Sequence, residues 1–225
     1  MAANGSRTVA AILVAAGSGE RLGADLPKAF CVVVGRTLLE HAASRFAAHP
    51  MVDTVVVVAP ASHLTAAATL TGATVVAGGA TRQASVRAGL AALGSDAELV
   101  LVHDVARPFV PPSVISGVVA ALEAGADGAV PVVPIHDTVR RVDTEGSFVE
   151  VLDRSALVAV QTPQGFVRTV LVEAHSRGRD LAVTDDAALV EAIGGGVGAV
   201  PGAAESFKIT RPWDLAVAEG VIVRG

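Results

Sequence analysis

A glycine-rich turn near the start of the chain is the first sign of phosphate chemistry. The predicted strand Val9–Ala15 runs into Ala15–Gly19, and the cations Arg21 and Lys28 follow closely. A turn of this kind between a strand and a helix points backbone N–H groups at an anion, where the helix dipole already favours negative charge. The spacing matches neither a Walker A motif nor Gly-x-Gly-x-x-Gly, since Leu22 occupies the third glycine position. We therefore predict a phosphate-binding loop, with an ordinary strand–helix turn as the alternative.

A second glycine-rich segment, Gly78–Ser85, has similar features. Its two glycines let the backbone approach a ligand closely, and Ser85 lies in the first turn of the helix that follows. This predicts a second ligand-binding loop of the same kind. The alternative is a simple turn with Thr81 as the helix N-cap and Arg82 merely solvated.

Asp104 lies at the carboxyl end of the predicted strand Leu99–His103, the edge at which open α/β sheets bind ligands. A single carboxylate near the proposed phosphate site is a natural Mg²⁺ ligand, because Mg²⁺ is often held by one or two carboxylates together with phosphate oxygens and water. The sequence thus predicts a metal site at Asp104. The alternative is a structural ion pair between Asp104 and Arg107, and His103 is expected to pack at the strand end.

Lysine is rare in this chain, and its two positions are informative. Of the 17 basic residues, 15 are arginine and only Lys28 and Lys208 are lysine. Lys208 falls in a predicted strand, Phe207–Ile209, where an ammonium group is costly unless it has a partner. A compact charge on a flexible stem follows a phosphate whose geometry changes, whereas the arginine fork is rigid. Both lysines are therefore predicted to contact phosphate.

Composition argues against several classes of protein. With 52% hydrophobic residues and a net charge of −5, the chain is too apolar for a disordered protein and has no basic tract for nucleic acid. Apolar runs such as Val9–Ala16 are about half the roughly 20 residues of a membrane-spanning helix. A short signal peptide is the alternative interpretation of Val9–Ala16, but this run is more typical of a strand that leads into a phosphate loop. We therefore expect a cytoplasmic protein.

Covalent catalysis and a cysteine or histidine metal site find little support. The six histidines show no metal-ligand spacing, and the single cysteine, Cys31, excludes an internal disulfide. No serine nucleophile elbow is present. Cys31 lies in an apolar run and is predicted to be a core residue.

Valine-rich runs alternate with alanine-rich segments of helical length, which predicts right-handed crossovers and a mostly parallel sheet with helices on both faces. The runs are continuously apolar, as in strands covered on both sides. Thr81 and Thr184 occupy helix N-cap positions, and Asp185 and Asp186 add negative charge to a first turn. We predict a single α/β domain over residues 1–225. The predicted strands are Val9–Ala15, Thr54–Ala59, Thr74–Ala77, Leu99–His103, Gly128–Val133, Val158–Gln161, Val197–Val200 and Phe207–Ile209. The predicted helices are Leu38–Ala48, Ser62–Leu70, Arg82–Leu93, Ser113–Glu123, Arg168–Ser176, Asp185–Ile193 and Trp213–Val223.

Residues Ile135–Leu152 depart from this pattern. They alternate apolar and polar residues around a central Glu145–Ser147 turn, which predicts an exposed, protruding β-hairpin. A two-stranded hairpin is only marginally stable alone. We therefore expect this arm, residues 135–155, to pack against a second subunit.

Nine segments, taken in order, resemble the nucleotidyltransferase family with a Rossmann-like α/β fold, and most closely its 2-C-methyl-D-erythritol 4-phosphate cytidylyltransferases. Each segment alone is a modest signal, but nine in order at compatible spacings cover nearly the whole chain. The segments are Leu13–Arg21, Pro27–Lys28, Gly78–Gly79, Val102–Pro108, Asp137–Thr138, Asp153–Arg154, Gln161–Phe166, Thr184–Ala187 and Phe207–Thr210.

The resemblance implies a role for each matched residue. The implied nucleotide contacts are Ala15, Ala16, Gly17, Gly79 and Ser85, with Arg21 and Lys28 on the triphosphate and Asp104 on Mg²⁺. The implied acceptor site comprises Asp104, Arg107, Thr138, Thr162 and Lys208, and the arm would carry Arg154 into the site of a second subunit. Arg21, Lys28, Arg154 and Lys208 are the implied catalytic residues. Ala80 stands where the family often has a polar residue, so no side-chain contact is carried over there.

The resemblance also implies an activity. It is the transfer of CMP from CTP to 2-C-methyl-D-erythritol 4-phosphate, with release of pyrophosphate, by a Mg²⁺-dependent homodimer of the non-mevalonate isoprenoid pathway. Nucleic acid and membrane partners are not expected. One alternative is a ribitol 5-phosphate cytidylyltransferase, which Ala15–Gly17 and Asp153–Arg154 disfavour. The other is a non-catalytic nucleotide-binding protein of the same fold.

Overall fold

The fold is described from a computed structural model that covers residues 7–17, 26–181 and 183–224. These residues form twelve strands and seven α-helices. The strands are β1 (Val9–Val14), β2 (Val32–Val33), β3 (Arg36–Thr37), β4 (Thr54–Ala59), β5 (Thr74–Ala77), β6 (Leu99–Asp104), β7 (Gly128–Pro134), β8 (Arg140–Val142), β9 (Phe148–Val151), β10 (Val158–Val160), β11 (Gln164–Val167) and β12 (Val197–Pro201). The helices are α1 (Leu38–Ala47), α2 (Leu64–Thr71), α3 (Arg82–Ala92), α4 (Pro112–Glu123), α5 (Arg168–Arg177), α6 (Asp186–Ala192) and α7 (Pro212–Arg224).

Eight of the strands form the central sheet. Hydrogen-bonded neighbours follow the order β10-β7-β11-β6-β1-β4-β5, and β12 also pairs with β7. The pairs β1–β6, β1–β4, β4–β5 and β7–β12 are parallel, whereas β11 runs antiparallel to both β6 and β7. The predicted α/β class with a mostly parallel sheet is confirmed.

Strand β1 shows why the apolar runs are continuous. Ala11 and Leu13 belong to one buried cluster, which contains residues of α1 and α4, whereas Ala10 and Ile12 belong to a second cluster with residues of α3, α5 and α6. Successive side chains of a strand point to opposite faces, so a sheet covered on both sides needs apolar residues at every position. Helices therefore cover both faces, as predicted. Among the residues that the structure describes, no helix has the length and hydropathy to cross a membrane.

The segment Phe207–Ile209 is not a strand, so that prediction is wrong. It follows a 3-10 turn, Ala204–Ser206, and the Ile209 N–H donates a hydrogen bond to the Ala106 carbonyl at 2.8 Å. Ile209 is fully buried. The apolar pattern thus comes from side chains that anchor a loop to the core.

Strand β11 is missing from the predicted strands. Its first residues, Gln164 and Gly165, follow Pro163 and resemble a turn in composition. Gly165 is required by packing, because a Cβ there would lie 2.3 Å from Val118 Cγ1 on α4. The helix therefore packs directly against the strand backbone, a contact that local sequence patterns do not reveal.

The predicted helix caps are right for α3 and wrong for α6. Thr81 caps α3, its hydroxyl accepting a hydrogen bond from the Ala84 N–H at 3.0 Å. Asp185, rather than Thr184, caps α6, its carboxylate accepting from the Ala188 N–H at 3.0 Å. A carboxylate at this position also suits the helix dipole.

The predicted hairpin arm is present as a separate two-stranded antiparallel sheet, β8–β9. The guanidinium of Arg140 lies 4.3 Å from the centre of the Phe148 ring, and Arg141 pairs with Glu150 at 2.9 Å. Phe148 nevertheless remains 69% exposed. The arm thus has apolar surface that this chain leaves uncovered.

Candidate active site

A cavity of about 570 Å³ lies at the carboxyl ends of β1 and β6, the edge at which a ligand site is predicted. The loops after β1 and before α3 form its walls. Eight residues with predicted ligand roles line it, namely Ala15, Ala16, Gly17, Lys28, Gly79, Ser85, Asp104 and Lys208.

The two glycine-rich loops pack directly against each other. A Cβ at Gly78 would lie only 2.4 Å from the Cβ of Ala16, so glycine lets the two loops meet. The Gly79 N–H donates to Ser85 Oγ at 3.2 Å, and that hydroxyl donates to the Thr81 carbonyl at 3.0 Å. Ser85 therefore ties the second loop to the first turn of α3.

Both lysines of the chain reach this cavity. Lys28 begins a 3-10 turn after Pro27, and its Nζ donates to the Ile209 carbonyl at 3.0 Å. Lys208 precedes Ile209, and its Nζ lies 2.6 Å from Asp104 Oδ2. The Lys208 ammonium thus has the partner that the sequence argument requires, although it projects from a loop rather than from a strand.

The Asp104 carboxylate is held between two cations. Its Oδ1 lies 3.2 Å from Arg82 Nε, and its Oδ2 takes the bond from Lys208. Burial would raise the pKa of Asp104, but Arg82 and Lys208 outweigh burial and hold that pKa well below its usual range. Asp104 is therefore ionised at neutral pH.

The alternative ion pair between Asp104 and Arg107 does not form. The Arg107 guanidinium instead donates to the carbonyls of Ser206 at 2.7 Å and Val160 at 3.1 Å. Arg107 thus joins the loop before Lys208 to the end of β10.

A buried relay fixes the backbone at Asp104. Its N–H donates to Thr162 Oγ1 at 3.1 Å, and Thr162 Oγ1 lies 3.1 Å from His103 Nδ1. His103 Nε2 lies 3.0 Å from the Arg107 carbonyl, which can only accept, so Nε2 carries the proton and Nδ1 accepts from the Thr162 hydroxyl. Burial lowers the pKa of His103 to about 4, and the ring is neutral. His103 packs at the strand end, as predicted.

Thr162 reaches this position through an irregularity in the sheet. Val160 lies opposite Val132, and Gly165 lies opposite Ala129, so five steps along β10 and β11 match three along β7. Extra residues in one strand leave the regular ladder and re-aim their side chains. Thr162 lies in this irregular stretch, and its hydroxyl reaches the Asp104 N–H.

Known proteins share this architecture and sequence. The family model for 2-C-methyl-D-erythritol 4-phosphate cytidylyltransferase matches residues 9–224. The chain belongs to that family. A cytidylyltransferase of this name from Frankia casuarinae is 48% identical over 221 residues, covering 97% of this chain and 83% of that protein. A cytidylyltransferase of the same name from Saccharopolyspora erythraea is 48% identical over 223 residues, covering 96% of this chain and 99% of that protein.

Solved structures of the family agree with the fold. The 2-C-methyl-D-erythritol 4-phosphate cytidylyltransferase of Thermus thermophilus superimposes with a TM-score of 0.80 at 41% identity, covering 94% of this chain and 98% of that one. The 4-diphosphocytidyl-2C-methyl-D-erythritol synthase of Anaerococcus prevotii superimposes with a TM-score of 0.85 at 26% identity, covering 97% of this chain and 100% of that one. The protein is therefore a nucleotidyltransferase enzyme, which excludes the non-catalytic alternative.

Some residues predicted for this cytidylyltransferase lie away from the cavity. Thr138 is exposed in the segment before β8, and Arg154 is exposed in the arm, where its guanidinium donates to the His136 carbonyl. Arg21 lies outside the described residues. Cys31 is half-buried against the core, and burial raises the pKa of its thiol while Lys28 partly offsets that effect.

Arg82 is the residue that sequence reasoning missed. The alternative of a solvated Arg82 is wrong, because the side chain is only 26% exposed and pairs with Asp104 and with the fully buried Asp186, at 2.6 Å. Its position in the first helical turn after a glycine-rich loop could have indicated a role at the site. Its partner Asp186, 104 positions further along the chain, could not be predicted from local sequence patterns.

The residues around Asp104 fit a Mg²⁺ ion shared with a bound nucleotide, but not a cage made by protein alone. Within the described ranges, no three histidine, cysteine, aspartate or glutamate side chains cluster to hold a metal. One ionised carboxylate is nevertheless a usual protein share of a Mg²⁺–nucleotide site. Lys208, its side chain 41% exposed, has room to move off Oδ2 and open that oxygen to an ion.

Proposed function

We propose that the protein transfers the cytidylyl group of CTP to 2-C-methyl-D-erythritol 4-phosphate by direct in-line attack, with Lys28, Lys208 and Mg²⁺ neutralising the charge that develops. Family membership supports the reaction. The observation that carries the mechanism is the convergence of Lys28, Asp104, Lys208 and two glycine-rich loops on one cavity.

The chemistry needs no general base. A phosphate monoester has a second pKa of about 6 and is largely ionised at neutral pH. One of its oxygens attacks the α-phosphorus of CTP; that P–O bond forms while the bond to pyrophosphate breaks, and pyrophosphate leaves with the electron pair. Catalysis then consists of positioning and charge stabilisation, as in other phosphoryl transfers.

Each charged residue has a proposed task. Lys28 lies on the nucleotide side, beside the loop after β1, and contacts the triphosphate together with Arg21. Lys208 exchanges Asp104 for the acceptor phosphate. The family resemblance adds Arg107, Thr138 and Thr162 to the acceptor site, and none of these three lines the cavity itself. Asp104 is the residue that would hold Mg²⁺, and the ion, when bound, would supply charge neutralisation and orientation of the leaving group.

We further propose a single-domain chain that acts as a cytoplasmic homodimer, with the arm at residues 135–155 as the contact. The exposed Phe148 and the valines beside it support this, because a marginal two-stranded hairpin gains stability by burying such a surface. Arg154 would then reach the second subunit's site. Net charge −5 disfavours nucleic acid as a partner.

The test is a two-substrate assay of the purified protein. CTP and Mg²⁺ are incubated with 2-C-methyl-D-erythritol 4-phosphate or with ribitol 5-phosphate, and pyrophosphate release is followed. We expect rapid release with the methylerythritol acceptor and strict dependence on a divalent cation. Preference for ribitol 5-phosphate, or full activity with EDTA, would overturn the acceptor or the metal proposal respectively.

A further inference from the structure

A carboxylate that the transfer mechanism does not use lies beneath the active site. Asp186, the first residue of α6, is fully buried, and both of its oxygens are engaged. Oδ2 lies 2.6 Å from Arg82 Nη1, and Oδ1 lies 2.8 Å from Nε2 of the buried His175. A buried carboxylate is costly unless it is paired in this way, so its presence needs an explanation.

Arg82 connects this buried carboxylate to the cavity. Its Nη1 is on Asp186 while its Nε is on Asp104 Oδ1. Burial would lower the pKa of Arg82, but the two carboxylates raise it, so the bridge is permanently charged. A planar guanidinium that spans two acceptors fixes both distance and angle, which a lysine ammonium does not.

Asp186 is itself anchored to the central sheet. Its N–H and that of Ala187 donate to Gln164 Oε1 at 3.2 and 3.3 Å, and Gln164 Nε2 donates to Asp185 Oδ2 at 2.8 Å. Gln164 is the first residue of β11 and is only 1% exposed. The position of Asp186 therefore follows the strand that pairs with β6, whose last residue is Asp104.

We propose that Arg82 is a positioning residue that fixes the Asp104 carboxylate at the cavity, and that Asp186, backed by His175, fixes Arg82. The proposal rests on the proposed role of Asp104. The two cations on Asp104 then differ in task. Lys208, more exposed and flexible, is free to leave Oδ2 when substrates bind, whereas Arg82 stays and keeps the carboxylate aimed.

Substitutions at Arg82 test the first half of the proposal. We expect Arg82→Ala to lower kcat about 10- to 100-fold with a smaller change in KM, the usual cost of losing a residue that orients a functional carboxylate. Arg82→Lys keeps a charge but spans only one carboxylate and should also be impaired. Millimolar guanidinium should restore part of the turnover of Arg82→Ala and none to Arg82→Lys, whose side chain fills the space.

The matched control is Arg168→Ala. Arg168 is also a half-buried first residue of a helix, and its guanidinium donates to the Gly94 and Ala97 carbonyls before β6, at the opposite end of that strand from Asp104. Turnover should not change in this variant. If Arg82→Ala loses no more activity than Arg168→Ala, or if guanidinium restores nothing, the proposal is overturned.

A double-mutant cycle tests the second half. If Asp186 acts through Arg82, Asp186→Asn lowers kcat in the wild-type background but costs little more in Arg82→Ala. Additive losses would overturn the link. Near-ultraviolet circular dichroism confirms folding; should Asp186→Asn not fold, His175→Gln replaces it in the cycle.

Two further measurements distinguish a failure of the Arg82 positioning role from a failure of the Asp104 role on which it rests. Calorimetric titration with CTP and Mg²⁺, without acceptor, should show weaker binding in Arg82→Ala than in Arg168→Ala. Equal binding in the two would contradict the positioning role. Asp104→Asn provides the other comparison, because unchanged turnover there would refute the role of Asp104 itself, whereas a loss confined to Asp104→Asn would refute only the role of Arg82.

Discussion

Lys28 and Lys208 line the same cavity from segments that lie far apart in the chain. The Lys28 ammonium donates a hydrogen bond to the carbonyl of Ile209, the residue after Lys208. This bond links the two segments that carry the lysines. Charge placed in advance where phosphate charge develops costs no reorganisation during the reaction. This arrangement makes individual cations more important than the net charge of −5.

We predict that Lys28→Ala lowers kcat about 100-fold or more, because one preorganised electrostatic donor is lost. Lys28→Arg should recover only part of that activity, since the rigid fork cannot follow the phosphate in the same way. Steady-state kinetics at saturating CTP measures the effect, and urea unfolding serves as the control for the lost bond to Ile209. A change in kcat of less than about threefold would contradict the role.

His103 makes the stability of the protein depend on pH. Its pKa is about 4 in the folded protein and 6.5 for the free side chain, so the unfolded chain takes up the proton at a higher pH than the folded one. The stabilisation is complete above pH 6.5 and is lost as the pH falls towards 4. The free energy of unfolding should fall by up to about 3 kcal/mol over this window.

Urea unfolding across that window checks the prediction. His103→Gln keeps polar atoms near Thr162 and the Arg107 carbonyl but cannot titrate, so its unfolding free energy should fall less steeply with pH than that of the wild type. Parallel pH profiles for the two proteins would show that His103 is not the titrating group.

Helix α4 packs so closely on β11 that only glycine fits between them. A Cβ at Gly165 would lie 2.3 Å from Val118 Cγ1 and 3.0 Å from side-chain atoms of Leu101 and Leu122. All three neighbours are fully buried and have no space to move into. The close approach holds β11 in register with β6, where Gln164 lies opposite Val102.

We predict that Gly165→Ala lowers the free energy of unfolding by about 1–3 kcal/mol, the usual cost of overpacking a core. Gly117→Ala is the matched control, because Gly117 lies within α4 and a Cβ there meets nothing within 4 Å. That substitution should instead stabilise the helix by up to about 1 kcal/mol. Denaturant midpoints of both variants decide, and an unchanged midpoint for Gly165→Ala would contradict the packing argument.

The hairpin arm at residues 135–155 leads to a prediction about the proposed dimer. If it joins two subunits and carries Arg154 into the second site, then Arg154→Ala and Lys28→Ala damage different halves of one composite site. Each variant alone should be nearly inactive. A mixed dimer would contain one intact site, so free exchange of subunits should restore about a quarter of wild-type turnover.

Mixing each variant with itself is the control and should restore nothing. Light scattering should give the mass of a dimer, and Phe148→Ser should shift it towards a monomer by weakening the apolar contact. A monomeric wild type, or mixed variants that stay inactive, would contradict the shared site.

Local sequence patterns were sufficient to predict most of the central strands and several residues that line the cavity. Continuous apolar runs predict buried strands, since both faces of the sheet are covered, and the glycine-rich turns after β1 and β5 follow from the strand–helix alternation. The cavity-lining residues Lys28, Asp104 and Lys208 could be named from residue type and spacing alone. Lys28 and Asp104 depend on neighbours within a few positions of the chain, the range over which sequence patterns act. Lys208 was instead indicated by the rarity of lysine in the chain, because the strand predicted around it does not form.

Tertiary contacts decided the rest. The segment Phe207–Ile209 is apolar because Ile209 anchors a loop, and β11 is a strand because a bulge and an unusually close helix accommodate Gln164 and Gly165. The bridge from Asp104 through Arg82 to Asp186 joins residues 22 and 104 positions apart. Whether such charges stay solvated or pair in the interior depends on burial and distance, which only the folded chain fixes. The sequence by itself predicted which groups contact phosphate, and the tertiary structure decided which of them hold one another in place.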